Sequence, residues 1–263
     1  MTIETSDSFV EVAGGSIFVR QWRGAGARGA PLVLLHDSLG SVELWRDFPA
    51  QLAQALNRHV IAYDRLGFGR STQRTDRPSL TFIDDEAERY FPAVRRGLGL
   101  DRFALFGHSV GGAMALRIAA CMQDSCEAVT TESAQCFVES RTLDGIRVAQ
   151  TRFEDPAQLQ KLARYHGDRA RWVLEAWINV WLSPEFADWS LVPHLGEVRC
   201  PVLAIHGDHD EYGSEEFPRC IANGVSGPSQ MILLKDCGHV PHRERSEEII
   251  RLTASFVQSR NPV

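Results

Sequence analysis

The sequence predicts a three-layer α/β fold, a mostly parallel sheet covered by helices on both faces, with an all-helical segment inserted late in the chain. Three observations predict it. Short apolar runs, of the kind that form strands buried on both faces, alternate with segments of helical spacing. The alternation breaks once, over residues 133–196, where helical patterns dominate and no strand is expected. The length, 263 residues, suits one large core and is short for two independent ones.

Residues 10–19 read as two short strands about the Gly14-Gly15 turn. Buried strands are expected at 31–35, 60–63, 103–106, 128–130, 201–205 and 231–234. Helices are expected at 42–57, 82–98, 111–122 and 246–258, the last marked by Ile249, Ile250, Leu252 and Phe256. Such alternation implies parallel strands joined by right-handed crossovers. In the inserted segment Leu174, Trp177, Ile178 and Trp181 share a helix face, and Trp172, Trp177, Trp181 and Trp189 are four of the chain's six tryptophans. Ligands of open α/β sheets bind beyond the carboxyl ends of the strands. Residues 133–196 are therefore expected to form a cap over a core of 1–132 and 197–263. Trp177 and Trp181 are candidate substrate contacts; the same aromatics would also serve as the insertion's own core.

Composition narrows the function. Hydrophobic residues make up 44% and charged residues 24%, an ordinary globular balance. The net charge of -6 leaves no basic footprint for nucleic acid. No apolar run approaches the ~20 residues that span a bilayer. Met1-Thr2-Ile3-Glu4-Thr5 lacks the basic and apolar regions of a secretory signal, and the six cysteines form no CxxC pair. They read as small buried hydrophobes in a reducing compartment, so the protein is expected in the cytoplasm. Cys237, two residues before His239, is expected to pack.

The segment from Phe103 to Leu116 carries the chemistry. Gly107-His108-Ser109-Val110-Gly111 lies between an apolar strand and a small-residue helix, the context a Gly-x-Ser-x-Gly motif requires. A serine at such a turn is held in a strained conformation and projects above the sheet. The Val110 amide, at the helix start, would face developing negative charge. A serine hydroxyl needs a base, and the base an orienter. Among nine histidines, His239 follows the last apolar strand within Asp236-Cys237-Gly238-His239-Val240-Pro241, with His242 as its rival. The acid is expected just past strand 201–205, in His206-Gly207-Asp208-His209-Asp210. The spacing from Gly207 favours Asp210, leaving Asp208 to bond the turn. The second oxyanion donor is expected from the loop Leu35-His36-Asp37-Ser38-Leu39-Gly40, with the Ser38 amide as the choice. His36 and His108 are candidate lining residues. His206, Asp208 and His209 do not make a convincing metal set, and neither metal nor other cofactor is expected.

Together these residues resemble the α/β-hydrolase superfamily over nearly the whole chain. The match runs through His36 and its loop, Asp64-Arg65-Leu66-Gly67-Phe68-Gly69-Arg70-Ser71, the Ser109 elbow, Gly207 to Asp210, and Gly238 to His242. The resemblance implies an eight-stranded sheet with a helical cap and cofactor-free catalysis through an acyl-enzyme on a small-molecule substrate. Departures narrow it. Asp37 stands where a glycine usually follows the loop histidine. A serine nucleophile argues against haloalkane dehalogenases and epoxide hydrolases. Val240 replaces the tryptophan of many meta-cleavage C–C hydrolases, and Gly112-Ala113 replaces the arginine of the menaquinone-pathway synthase. A carboxylic-ester hydrolase is the leading expectation, with lactone, thioester or C–C bond hydrolysis using the same residues. A slow-turnover ligand receptor is the non-enzymatic alternative. Substrate identity and oligomeric state stay open at this level.

Overall fold

The chain enters its sheet through an edge hairpin, β1 (Ile3–Val12) and β2 (Gly15–Gly24), in a computed structural model that describes residues 2–258. Both strands run well beyond the short pair expected at 10–19. Thr5, Asp7 and Glu11 face outward along β1, so polar residues masked the strand signal. Inside the hairpin follow β3 (Leu32–Leu35), β4 (Val60–Tyr63), β5 (Phe103–His108), β6 (Cys126–Glu132), β7 (Val202–Gly207) and β8 (Ser229–Leu234). The eight strands form one sheet in the order β1-β2-β4-β3-β5-β6-β7-β8. β1–β2 and β2–β4 pair antiparallel and every later pair is parallel.

The central strands bury alternate residues into two separate cores. Leu32 and Leu34 of β3, with Val60 and Ala62 of β4, pack on the side of α1 (Phe48–Leu56) and the C-terminal helix. Val33, Leu35, Ile61 and Tyr63 point to the other side. Two-sided burial is why these strands read as continuous apolar runs.

Two expected helices are interrupted where proline intervenes. Residues 42–57 split into a 3₁₀ turn (Val42–Trp45), a break at Arg46 with φ 52°, and α1. Pro49 lacks the amide a helix interior needs, so the helix restarts with proline in its first turn. Residues 82–98 form α2 (Phe82–Asp85), a π turn (Glu86–Tyr90) and α3 (Phe91–Gly97), with Pro92 just beyond the wide turn. α4 (Val110–Cys121) follows β5 directly.

Between β6 and β7 the described residues contribute no strand to the sheet. Helices α5 (Ser140–Arg152), α6 (Pro156–His166), α7 (Ala170–Trp181) and α8 (Val192–Leu195) fill the interval, with one isolated bridge, Phe137 to Ser190. Trp172 docks this segment on the loop after β4: its ring lies so close to Gly67 that a Cβ there would come within 2.6 Å of it. Its indole N–H donates to the Asp76 carbonyl at 3.0 Å. Trp181, Phe186 and Trp189 stack into a cluster, so part of the tryptophan content is packing. α9 (Glu216–Gly224), α10 (Pro241–Glu244) and α11 (Ser246–Gln258) complete the chain, and α11 packs on α1. No described helix is long and apolar enough to cross a membrane.

Candidate active site

The turn from β5 into α4 is fixed by what cannot fit there. A Cβ on Gly107 would lie 2.3 Å from the Gly111 carbonyl oxygen, and one on Gly111 would lie 2.2 Å from that of Leu35. Only glycine lets the strand end and the helix begin this tightly. Ser109 between them takes φ 56°, ψ -127°, a conformation that costs a non-glycine residue roughly 1–3 kcal/mol. The surrounding bonds hold it: its amide donates to the Glu132 carbonyl at 2.9 Å, and the Gly112 amide donates to its own carbonyl at 2.8 Å. The Ser109 side chain is thereby turned out of the sheet toward the loops beyond β7 and β8.

Those loops bring His239 and Asp210 to it. Ser109 Oγ lies 3.0 Å from His239 Nε2, and His239 Nδ1 lies 2.8 Å and 2.9 Å from the two Asp210 oxygens. The carboxylate selects the tautomer: Nδ1–H donates to Asp210, leaving Nε2 to accept the serine proton. Asp210 also accepts the Tyr212 amide at 2.8 Å. Burial alone would raise the Asp210 pKa, but the His239 charge and hydrogen bond, with His206 and the Tyr212 amide, bring it down to about 2. Burial likewise opposes charge on His239, and Asp210 outweighs it, so the imidazole pKa lies above its ordinary value of 6.5. Asp208, expected to bond its own turn, instead accepts the Cys237 amide at 3.3 Å and so ties the acid loop to the histidine loop. Cys237 itself is buried, as packing requires.

Gln135 joins the group without having been expected. Its Nε2 donates to Ser109 Oγ at 3.1 Å, and the residue is buried. It lies just past the end of β6, and position beyond a strand's carboxyl end is the signal that would have nominated it.

The loop after β3 presents Ser38 to the same cavity. The preceding carbonyl, that of Asp37, accepts three hydrogen bonds: from His36 Nδ1 and Arg65 Nη2 at 2.8 Å each, and from the Gly40 amide at 3.2 Å. In a trans peptide the N–H points opposite to the C=O. The Ser38 amide is therefore directed away from that buried anchorage. Val110, the first residue of α4, carries an amide for which a helix start offers no internal partner. A cavity of about 220 Å³ is bounded by Ser38, Ser109, Gln135, Trp177, Trp181 and Tyr212, with His239 and the carboxylate-bearing Asp37 and Glu211.

Two expected lining residues are placed differently. His36 is buried beneath the loop, receiving the Arg65 amide on Nε2 at 3.1 Å, and burial holds its pKa well below the usual value. His108 lies below the histidine loop, donating from Nε2 to the His239 carbonyl at 2.8 Å. Both occupy the structure beneath the cavity because the residues flanking a tight turn point back into the sheet. His242, the rival base, faces Glu132: its ring Nδ1 bonds one carboxylate oxygen and its amide donates to the other at 3.1 Å. His108, Glu132 and His242 offer ligand atoms within 4.8 Å of one another. The contacts in place read as a hydrogen-bond network. The carboxylate is engaged by His242, and His108 Nε2 by the base's own backbone. Burial pushes His108 down to about 4, His242 down to about 3, and Glu132 up to about 7.

Sheet order, the strained serine after β5, and an acid and histidine after β7 and β8 define a hydrolase-type α/β site. The sequence model of the alpha/beta hydrolase family matches residues 32–252, and the chain belongs to that family. Along its length it is similar to a proline iminopeptidase of Lactobacillus crispatus (strain ST1), 24% identical over 266 residues covering 86% of this chain and 89% of the relative. Among solved structures it is similar to the 2-hydroxy-6-oxo-6-phenylhexa-2,4-dienoate hydrolase of Rhodococcus sp. strain RHA1, with TM-score 0.82, 16% identity and coverage of 98% and 100%. A membrane phospholipase A, described as a bacterial virulence factor, superposes with TM-score 0.78 at 20% identity, covering 98% of this chain and 87% of its own. Likeness at these identities speaks for the shared fold.

Proposed function

We propose that this protein is a cytoplasmic serine hydrolase that cleaves a carboxylic ester of a small, largely apolar molecule through an acyl-enzyme. The observation that carries the reading is the continuous relay from Ser109 Oγ to His239 Nε2 at 3.0 Å and from His239 Nδ1 to Asp210 at 2.8 Å. His239 takes the hydroxyl proton as Ser109 Oγ attacks the carbonyl carbon. The negative charge on the carbonyl oxygen is met by the Ser38 and Val110 amides. His239 then protonates the departing alcohol. Water, deprotonated by the same imidazole, releases the acid and restores Ser109. Asp210 keeps its charge throughout and stabilises the imidazolium. In this reading residues 133–196 act as a cap, with Trp177 and Trp181 shaping the apolar side of the pocket.

A second reading, cleavage of a peptide-like bond next to an N-terminal imino group, is favoured by the full-length similarity to an iminopeptidase and by Asp37 and Glu211 on the cavity wall. Carboxylates there would suit a cationic substrate amine.

The test is steady-state hydrolysis of p-nitrophenyl acetate, butyrate and octanoate beside proline p-nitroanilide, by the wild type and by Ser109→Ala. Ester turnover abolished in the variant is expected. Preferential anilide turnover would favour the second reading, and ester turnover surviving in Ser109→Ala would sink the mechanism.

A further inference from the structure

One histidine of the inserted segment reaches out to the loop that carries Ser38. His166 is the last residue of α6 and is fully buried. The Gly69 amide, in the loop after β4, donates to its Nδ1 at 2.9 Å, and its Nε2 lies 3.0 Å from the Leu39 carbonyl oxygen, in the loop after β3. The first bond fixes the second. A backbone N–H can only donate, so Nδ1 carries a lone pair, and the proton of the neutral imidazole sits on Nε2 and is donated to Leu39. Burial pushes the His166 pKa below its ordinary 6.5, which favours this neutral form. Among the described residues neither the Gly69 amide nor the Leu39 carbonyl has another hydrogen-bond partner.

The bond to Leu39 completes a clasp around Ser38. On one side the Asp37 carbonyl is held from the core by His36 and Arg65. On the other, the Leu39–Gly40 peptide is fixed at both ends: its carbonyl by His166, and its N–H by the Asp37 carbonyl at 3.2 Å. The Ser38 amide lies between these two anchors. His166 is itself held in place. Arg169 donates from Nε to the His166 carbonyl at 3.2 Å and from its terminal nitrogens to the carbonyls of Ser71 and Gly69. The Phe68 ring stands edge-on to the imidazole, with centroids 6.1 Å apart.

We propose that His166 is a positioning residue for the oxyanion donor. By holding the Leu39 carbonyl it sets the loop that presents the Ser38 amide, so residues 133–196 take part in the chemical step as well as in substrate fit. This rests on the serine-hydrolase reading, in which Ser38 meets the oxyanion.

Three variants separate the two bonds. His166→Ala removes both. A glutamine amide extends about as far as Nε2 and keeps a donor for Leu39, whereas an asparagine amide extends only to the level of Nδ1 and keeps an acceptor for Gly69. His166→Ala should lower kcat about 10- to 100-fold for p-nitrophenyl acetate, butyrate and octanoate alike, with KM little changed. A misplaced oxyanion donor weakens the transition state whatever the acyl length. His166→Gln should recover most of the loss and His166→Asn little of it. Hydrogen exchange read by mass spectrometry should be faster over residues 37–40 in the alanine and asparagine variants than in the wild type and His166→Gln. Nitrogen NMR of the wild type should place the His166 ring proton on Nε2.

A loss that grows with acyl length and falls on KM would make His166 a wall of the pocket and overturn the proposal. Unchanged kcat in His166→Ala would overturn it too, as would a ring proton on Nδ1. Recovery by asparagine in place of glutamine would do the same, because it assigns the effect to Gly69. If His166→Ala does not fold, the glutamine–asparagine comparison and the wild-type tautomer decide. Absence of wild-type ester turnover would reject the hydrolase reading, whereas equal loop exchange in all four proteins would reject the hold on Ser38, so the two failures are read apart.

Discussion

Two histidine–carboxylate pairs, one half-buried and one buried, use histidines three residues apart, His239 in the loop before α10 and His242 within it, and they behave in opposite ways. His239 meets Asp210, is driven above its ordinary pKa, and faces Ser109 Oγ. His242 meets Glu132, is driven down to about 3, and faces the interior beside Trp45 and Phe48. Pairing with a carboxylate is common to both, so it does not make a base. What differs is solvation and charge. Asp210 is held down to about 2 by several donors and stays ionised, whereas burial lifts Glu132 to about 7 and weakens its hold as an anion. The first pair is built to carry charge and the second to avoid it.

The largest expected effects fall on the first pair. Ser109→Ala should lower kcat by roughly 10⁵-fold or more, to the level left by substrate binding and the oxyanion donors. Asp210→Asn should lower it by about 10⁴-fold with little change in KM, because the wrong imidazole tautomer faces Ser109. Steady-state kinetics on one activated ester checks both.

The pH profile sharpens the contrast. His239 acts as a base only when neutral, so kcat/KM should fall as pH drops through a pKa above 6.5, while Asp210 stays ionised down to about 2. In Asp210→Asn the residual activity should keep its acid limb to lower pH, since the group that raises the imidazole pKa is gone.

The second pair should answer in stability. Glu132→Gln is expected to change kcat by less than about 10-fold and stability by ~1–3 kcal/mol, read from urea unfolding. Its sign depends on pH. The folded state holds the Glu132 proton more tightly than the unfolded chain does, so the wild type should lose stability relative to Glu132→Gln as pH rises from 4.5 to about 7. An activity collapse in Glu132→Gln with unchanged stability would break the contrast.

Legibility in the sequence followed the range of the forces involved. The elbow was readable because glycine is required on both sides of Ser109 and the motif is contiguous: a Cβ on Gly107 would lie 2.3 Å from the Gly111 carbonyl oxygen, and one on Gly111 would lie 2.2 Å from that of Leu35 at the end of β3. The buried strands were readable because burial on both faces writes a continuous apolar run. The meeting of Asp210 with His239 followed from chain order and loop position. The network of His108, Glu132 and His242 was not readable, because it joins residues up to 134 positions apart, 108 to 242, through side-chain directions that no spacing encodes. The same ignorance of direction put His36 and His108 on the cavity wall, whereas they lie beneath it. Gln135 was missed because an uncharged amide gives no pattern until the end of β6 places it beside Ser109.

The most direct test of the central claim is mass spectrometry of the protein quenched in acid during turnover of a p-nitrophenyl ester. The account predicts one added acyl group, mapped by peptide digestion to Ser109 and accumulating further when His239 is replaced by alanine and deacylation is slowed. Steady turnover with no adduct, or an adduct on another residue while Ser109 stays free, would contradict it.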